Sequence, residues 1–207
     1  MSLTLPPFAK FPFAITLRAT AIGAASLALT GCISLGSEPP DMMLTLTPAS
    51  SASVGQATNG MQVNALLIEE PDAPQRLAVT RVPVQVDSSS IAYLKDAVWV
   101  ERPSRLFRRL LAETVRAKSG RLVMERDDPA VAPHETLRGT LREFGYDAVR
   151  GDATVTFDAI RKRSDGTLET RRFSSSIANV APLGADVGRA LNLAANKVAE
   201  EVADWVG

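Results

Sequence analysis

The sequence predicts an α+β fold: an antiparallel-rich sheet with two main amphipathic helices packed on it. Three observations carry that expectation. Three long β-prone runs between Glu135 and Val180 are separated by turn signals, Gly151-Asp152 and Ser164-Asp165-Gly166-Thr167, so they read as consecutive hairpins. Two other stretches, 103–119 and 184–206, carry helical apolar periodicity. Shorter β-branched runs precede the first of those helices.

In chain order, 63–69 reads as a strand because Ala65-Leu66-Leu67-Ile68 is too apolar for a loop. Pro71 to Pro74 is a turn. Residues 77–86 alternate and are rich in valine, which suits a strand, and Pro83 within it points to an edge position or a bulge. Ile91-Ala92-Tyr93-Leu94 and Ala97-Val98-Trp99-Val100 follow as short β segments. Pro103 suits the first turn of a helix and Gly120 the position just past its end. Leu106, Phe107, Leu110, Leu111, Thr114 and Val115 form one broad face of that helix, with Arg105, Arg108, Arg109 and Arg116 mostly on the other. A short strand over 121–125 and a polar loop over 127–133 lead into the three long strands, the first of which holds Gly139 and Gly145 and is expected to bend or bulge. The final helix carries a single stripe, Val187, Leu191, Ala194, Val198, Val202 and Trp205, for packing on a sheet.

Ahead of this domain the chain reads as an export and anchoring segment. Leu29-Thr30-Gly31-Cys32 has the form of a lipobox, and Cys32 is the one cysteine of the sequence. Lys10 and Arg18 supply a positive n-region with no acidic residue before the cysteine. The run Ala19–Leu29, at about eleven residues, is short for a membrane span and right for a signal h-region. The expected division is a signal peptide over 1–31, a flexible tether over 32–60 rich in Ser, Pro, Gly and Thr, and a folded domain over 61–207. Within the tether, Met43-Leu44-Thr45-Leu46-Thr47-Pro48 looks like a short strand stopped by proline. From Cys32 to Gly207 the chain has about 175 residues, which suits one domain. Ile33, not Asp, follows the cysteine, which favours lipid anchoring in the outer membrane, facing the periplasm.

Composition and motifs argue against several functions. The sequence has 23 basic and 23 acidic residues, without the basic excess of a dedicated nucleic-acid binder. His134 is the only histidine, and nothing aims a serine at it. One histidine and one cysteine do not make a metal site, Asp127-Asp128 reads as a solvated loop pair, and no phosphate-binding GxxxxGK[ST] string occurs. No catalytic residue, metal ligand or cofactor is expected.

The order of motifs resembles the ABC-type transport auxiliary lipoprotein family, which includes the paraquat-inducible protein C group. The resemblance rests on the lipobox, the Leu44-Thr45-Leu46-Thr47-Pro48 segment, Arg81-Val82-Pro83-Val84, Tyr93-Leu94 through Ala97-Val98-Trp99, the amphipathic helix after Pro103 and Leu137–Phe144. Met42-Met43 departs from it, standing where aromatic residues often precede that segment. Membership implies a non-enzymatic lipoprotein working beside a mammalian-cell-entry-type substrate-binding protein, a permease and an ATPase that move lipids or other apolar molecules between inner and outer membranes. A homo-oligomer is compatible with that role. A competing reading is a lipoprotein that assists assembly of an outer-membrane protein or lipopolysaccharide machine; a hydrolase is the least supported.

A subordinate module needs a surface that its own core does not consume. The segment 91–102 places Tyr93, Trp99 and Arg102 together, residue types that often anchor interfaces, and these three are the candidate partner-docking residues. The competing reading is that Tyr93 and Trp99 pack between helix and sheet. The arginine face of the first helix is a solvated face by default, or else a contact for anionic lipid or an acidic partner.

Overall fold

The computed structural model describes residues 42–55, 65–125 and 133–207. Among the described residues, seven strands and two helices follow in chain order: β1 (Leu66–Ile68), a 3-10 turn (Gln75–Leu77), β2 (Arg81–Gln85), β3 (Ile91–Val98), α1 (Pro103–Ser119), β4 (Val123–Met124), β5 (Glu135–Asp147), β6 (Asp152–Lys162), β7 (Leu168–Ile177) and α2 (Gly184–Val206). The sheet is mixed. The β5–β6–β7 meander and the β2–β3 pair are antiparallel, as the hairpin signals predict, but β1 runs parallel to both β4 and β5, and β2 runs parallel to β5. Antiparallel pairing is therefore only part of the sheet.

Thirteen-residue β5 organises it. One edge pairs with β6 along its length. The other edge receives β1 at Glu135–Leu137 and β2 at Tyr146–Asp147, with Asp72 bridging to Thr140 between them. Pro83 lies in β2, which is not an edge strand, since it sits between β3 and β5. The sheet accommodates the missing N–H because β2 is irregular between Arg81 and Pro83, and its pairing to β5 begins at Val84. Gly145 makes room for it: a Cβ there would stand 2.6 Å from the Pro83 carbonyl oxygen. The expected bulge in β5 falls between Leu141 and Glu143, flanked by the two glycines.

Both helices cover one face of the sheet. The α1 residues Leu106, Phe107, Leu110, Leu111, Thr114 and Val115 are buried, as are Val187, Leu191, Ala194, Val198 and Val202 of α2. Phe107 meets Phe157 of β6 edge-on, with ring centroids 5.4 Å apart. Helix α1 ends where Gly120 takes a left-handed φ of 63° and donates its N–H to the Arg116 carbonyl, a conformation that costs glycine little.

The stretch 42–55, read from sequence as tether, is seated on the domain. Leu44 joins the end of β3: its N–H donates to the Val98 carbonyl at 2.7 Å and its carbonyl accepts from Val100 N–H at 2.9 Å. The chain then crosses α2 and reaches α1, where Ala52 N–H donates to Glu113 Oε1 at 2.9 Å. Composition suggested otherwise because Ser, Ala and Thr bring little apolar area; the seat works through backbone hydrogen bonds and the partly buried Leu44 and Leu46. Cys32 and Asp127-Asp128 lie outside the described residues.

Candidate functional site

The structure separates the three candidate docking residues. Trp99 is fully buried, its indole edge-on to Phe144 at 5.3 Å between centroids. A side chain with no exposed area cannot meet a partner, so Trp99 belongs to the core and not to a docking surface. Its position follows from the chain path: Trp99 N–H donates to the Thr80 carbonyl at 2.7 Å, which ties the end of β3 back against the start of β2. Tyr93, by contrast, is only partly buried, and the Arg81 guanidinium lies 4.6 Å from its ring centroid, in cation–π geometry. Arg102 is half exposed at the start of α1, 3.9 Å from Glu70, which also accepts a 2.8 Å hydrogen bond from Ser104 Oγ. Tyr93 and Arg102 thus remain on the surface, Tyr93 on β3 at one end of the sheet order and Arg102 just before α1.

The arginines of α1 do not form a bare cationic face. Glu101 pairs with Arg109 at 2.8 Å and Arg105 at 3.6 Å, and Glu125 pairs with Arg116 at 2.9 Å and Arg108 at 4.0 Å. Each cation has a carboxylate beside it, but Glu101 and Glu125 each serve two arginines, so the face is an ion-pair network that keeps a positive excess.

The sheet face away from the helices holds a cluster that the sequence reading did not single out. Asp158 on β6 accepts from Arg142 Nε at 2.8 Å and from Arg172 Nη2 at 2.8 Å, so strands β5, β6 and β7 meet at one carboxylate. The hydrogen bonds from Arg172 hold the Asp158 carboxyl well below its ordinary pKa; slight burial opposes this and Arg142 adds to it. Next to it, Thr156 bonds Ser174 and Thr154 bonds Ser176, each at 2.8 Å, as cross-strand hydroxyl pairs. Arg76 reaches in from the 3-10 turn to donate to the Arg142 carbonyl at 2.7 Å. Asp72, Arg76, Thr140, Arg142, Glu143 and Arg172 are among the residues around an open basin there of about 530 Å³. The signal that could have found this face is the alternation of polar residues in β6 and β7, Thr154, Thr156 and Asp158 against Arg172, Ser174 and Ser176.

His134 is exposed, just before β5. Among the described residues no group of three His, Cys, Asp or Glu side chains is placed to hold a metal ion, and no helix is long and apolar enough to cross a membrane.

A mixed sheet with both helices on one face, a polar hydroxyl- and guanidinium-bearing face on the other and an N-terminal segment strapped across the helices defines a small α+β module. Its exposed chemistry is that of paired charges and hydrogen-bonding side chains. The chain belongs to the ABC-type transport auxiliary lipoprotein component family, whose model matches residues 44–203. Membership makes it a lipoprotein of ABC transport systems, associated with a membrane. The fold is also that of two crystal structures: one of an uncharacterised protein, at TM-score 0.62 and 16% identity over 73% of this chain and 97% of that one, and one of a Xanthomonas campestris protein of the DUF330 family model, at TM-score 0.62 and 18% identity over 79% and 94%. No curated protein matches the chain in sequence.

Proposed function

We propose that this protein is the non-enzymatic, periplasm-facing auxiliary lipoprotein of a mammalian-cell-entry-type ABC transporter that moves lipids or other apolar molecules between the inner and outer membranes, anchored in the outer membrane through lipid on Cys32. The observation that carries the reading is the extent of the family match, which begins at Leu44 in the strapped segment and ends at Ala203 in the last turns of α2. It takes in the whole sheet and both helices and not one shared motif. The Leu29-Thr30-Gly31-Cys32 string and the positive n-region supply the anchor.

Docking to the substrate-binding protein falls to the 91–102 segment without Trp99. Tyr93, Lys95, Asp96 and Arg102 keep exposed or partly exposed side chains there. The test is affinity capture of the full-length lipoprotein from cells that co-express the mammalian-cell-entry protein, the permease and the ATPase. The partner co-purifies with the wild type and is lost with Tyr93→Ala, whose melting temperature stays within a few degrees of the wild type's. Capture of an outer-membrane assembly protein in its place would overturn the transport role, and fractionation with the inner membrane would overturn the outer-membrane placement.

A further inference from the structure

Along α2, Gly188, Asn192 and Asn196 stand four residues apart and form one row on the helix surface. Opposite that row the segment 44–52 presents its backbone. Thr47 N–H donates to Asn192 Oδ1 at 2.8 Å, and Ala49 N–H donates to Asn196 Oδ1 at 2.7 Å. The Asn196 amide also donates to the Thr47 carbonyl at 2.9 Å and to the Asn192 carbonyl at 2.8 Å, which fixes the orientation of its own carboxamide. The spacings match. Four residues of helix rise about 6 Å, and two residues of extended chain advance about 6.6 Å. The Thr47 and Ala49 N–H groups, on either side of Pro48, therefore meet successive carboxamides of the row. Gly188 completes it: a Cβ there would stand 2.5 Å from Leu44 Cδ2, so glycine lets Leu44 lie against the helix.

We infer that the Gly188–Asn192–Asn196 row, with Glu113 of α1, is a backbone-reading seat for the chain's own residues 44–52, and that this seat, not the length of the low-complexity stretch, sets how far the domain stands from its anchor. The inference rests on lipidation at Cys32. Leu44 lies twelve positions after Cys32, and Ala65, where the described chain resumes just ahead of β1, lies thirty-three positions after it. Fully extended, these lengths span at most about 40 Å and about 115 Å respectively. With the segment seated, the shorter length applies, and the domain leaves its anchor at the end of β3, where the exposed Met42 and Met43 directly precede the Leu44 bridge and Val100 follows it. With the seat broken and the Leu44 bridge to the end of β3 released along with it, the longer length applies. The hydrogen bonds that hold the segment are exposed or part-buried, which places it among the elements that open locally at less than the global unfolding cost.

The test uses the full lipidated chain on a supported bilayer and two variants, Asn192→Ala/Asn196→Ala and Gly188→Leu. The first removes the acceptors; the second displaces Leu44 and leaves the carboxamides intact. Hydrogen exchange at the Thr47 and Ala49 amides is expected to accelerate at least tenfold in both variants, with the β6 and β7 amides unchanged as the check on folding. Neutron reflectometry is expected to show the protein layer farther from the bilayer in both. Equal exchange rates in wild type and both variants would overturn the seat. Accelerated exchange with an unmoved protein layer would overturn its control of reach. Incorporation of a clickable palmitate analogue into the wild type, lost in Cys32→Ser, tests the anchor separately. If the wild type takes no label, the anchoring and reach arguments both fall, while amide exchange still decides the seat.

Discussion

The two faces of the sheet each hold one carboxylate between two arginines. On the helix-covered face Glu135 accepts from Arg121 at 3.1 Å and Arg161 at 3.0 Å; on the open face Asp158 accepts from Arg142 and Arg172. The chemical inventory is the same and the environments are not. The Glu135 side chain is 14% exposed and that of Arg161 6%, whereas Arg142 and Arg172 are 57% and 62% exposed. The inner arginines also have further work. Arg161 donates to the Trp205 carbonyl at 2.9 Å and Arg121 to the Val206 carbonyl at 2.6 Å, two groups at the end of α2 that have no partner within the helix. The inner cluster therefore fastens the last turn of a helix to the sheet, while the outer one fastens only neighbouring strands that the β5–β6–β7 ladders already hold. Burial, not the count of ion pairs, decides which cluster matters to stability.

The largest effect expected along this contrast is at the fully buried ring. Trp99→Ala should cost about 3–5 kcal/mol in denaturant unfolding, whereas Tyr93→Ala, at a partly buried site, should cost clearly less; equal losses would show that the two rings share one environment. Next comes Glu135→Gln, which leaves Arg161 buried without a counter-charge. Breaking a buried pair from one side costs about 3–5 kcal/mol, and the residual exposure of Glu135 puts the expectation at the lower end. A loss below 1 kcal/mol would erase the difference between the clusters.

Acid should sharpen it further. Burial opposes ionisation of Glu135, but hydrogen bonds from Arg161 and Arg121 prevail and hold its pKa below the ordinary 4.5. A depressed folded value means that the stabilisation is complete above 4.5 and is lost as pH falls through the lower folded value. Wild type should therefore lose stability below pH 4.5 more steeply than Glu135→Gln, and parallel profiles would remove Glu135 from the account. The smallest effect belongs to the open face. Asp158→Asn should cost less than about 1 kcal/mol, because solvent screens an exposed pair; a larger loss would mean that this face is more enclosed than the exposure of its arginines indicates.

What could be read from the sequence was whatever is local. Helix α1 begins at Pro103 and ends before Gly120 as expected, because the start and stop signals lie within one turn of the helix they bound. The two hairpins of the meander form across the expected turns for the same reason. Parallel pairing was not legible. Leu66 meets Glu135 across nearly seventy residues, and no short pattern in either segment names its partner. The strap was missed because two asparagines and a glycine at four-residue spacing read as gaps in an apolar helix, and only the opposing backbone gives them a purpose. For Trp99 the sequence left two readings, a docking ring and a ring packed between helix and sheet, and only its neighbour Phe144, on another strand, decides for burial. The charged cluster on the open face needs three strands in register before Asp158 meets both arginines.

The arrangement around β5 also has a consequence for the order in which the molecule is assembled. A chain is made from its N-terminus, yet β1 and β2 both pair with β5, and the segment around Leu44 crosses helix α2 at the far end of the sequence. The described segments up to residue 100 must therefore wait, apart from the β2–β3 hairpin, for partners synthesised later. The C-terminal half meets no such delay, because β5, β6 and β7 close through short turns with small loss of loop entropy. Folding is expected to run backwards along the chain, with the meander and α2 forming a platform first and the anchor-proximal segments docking last.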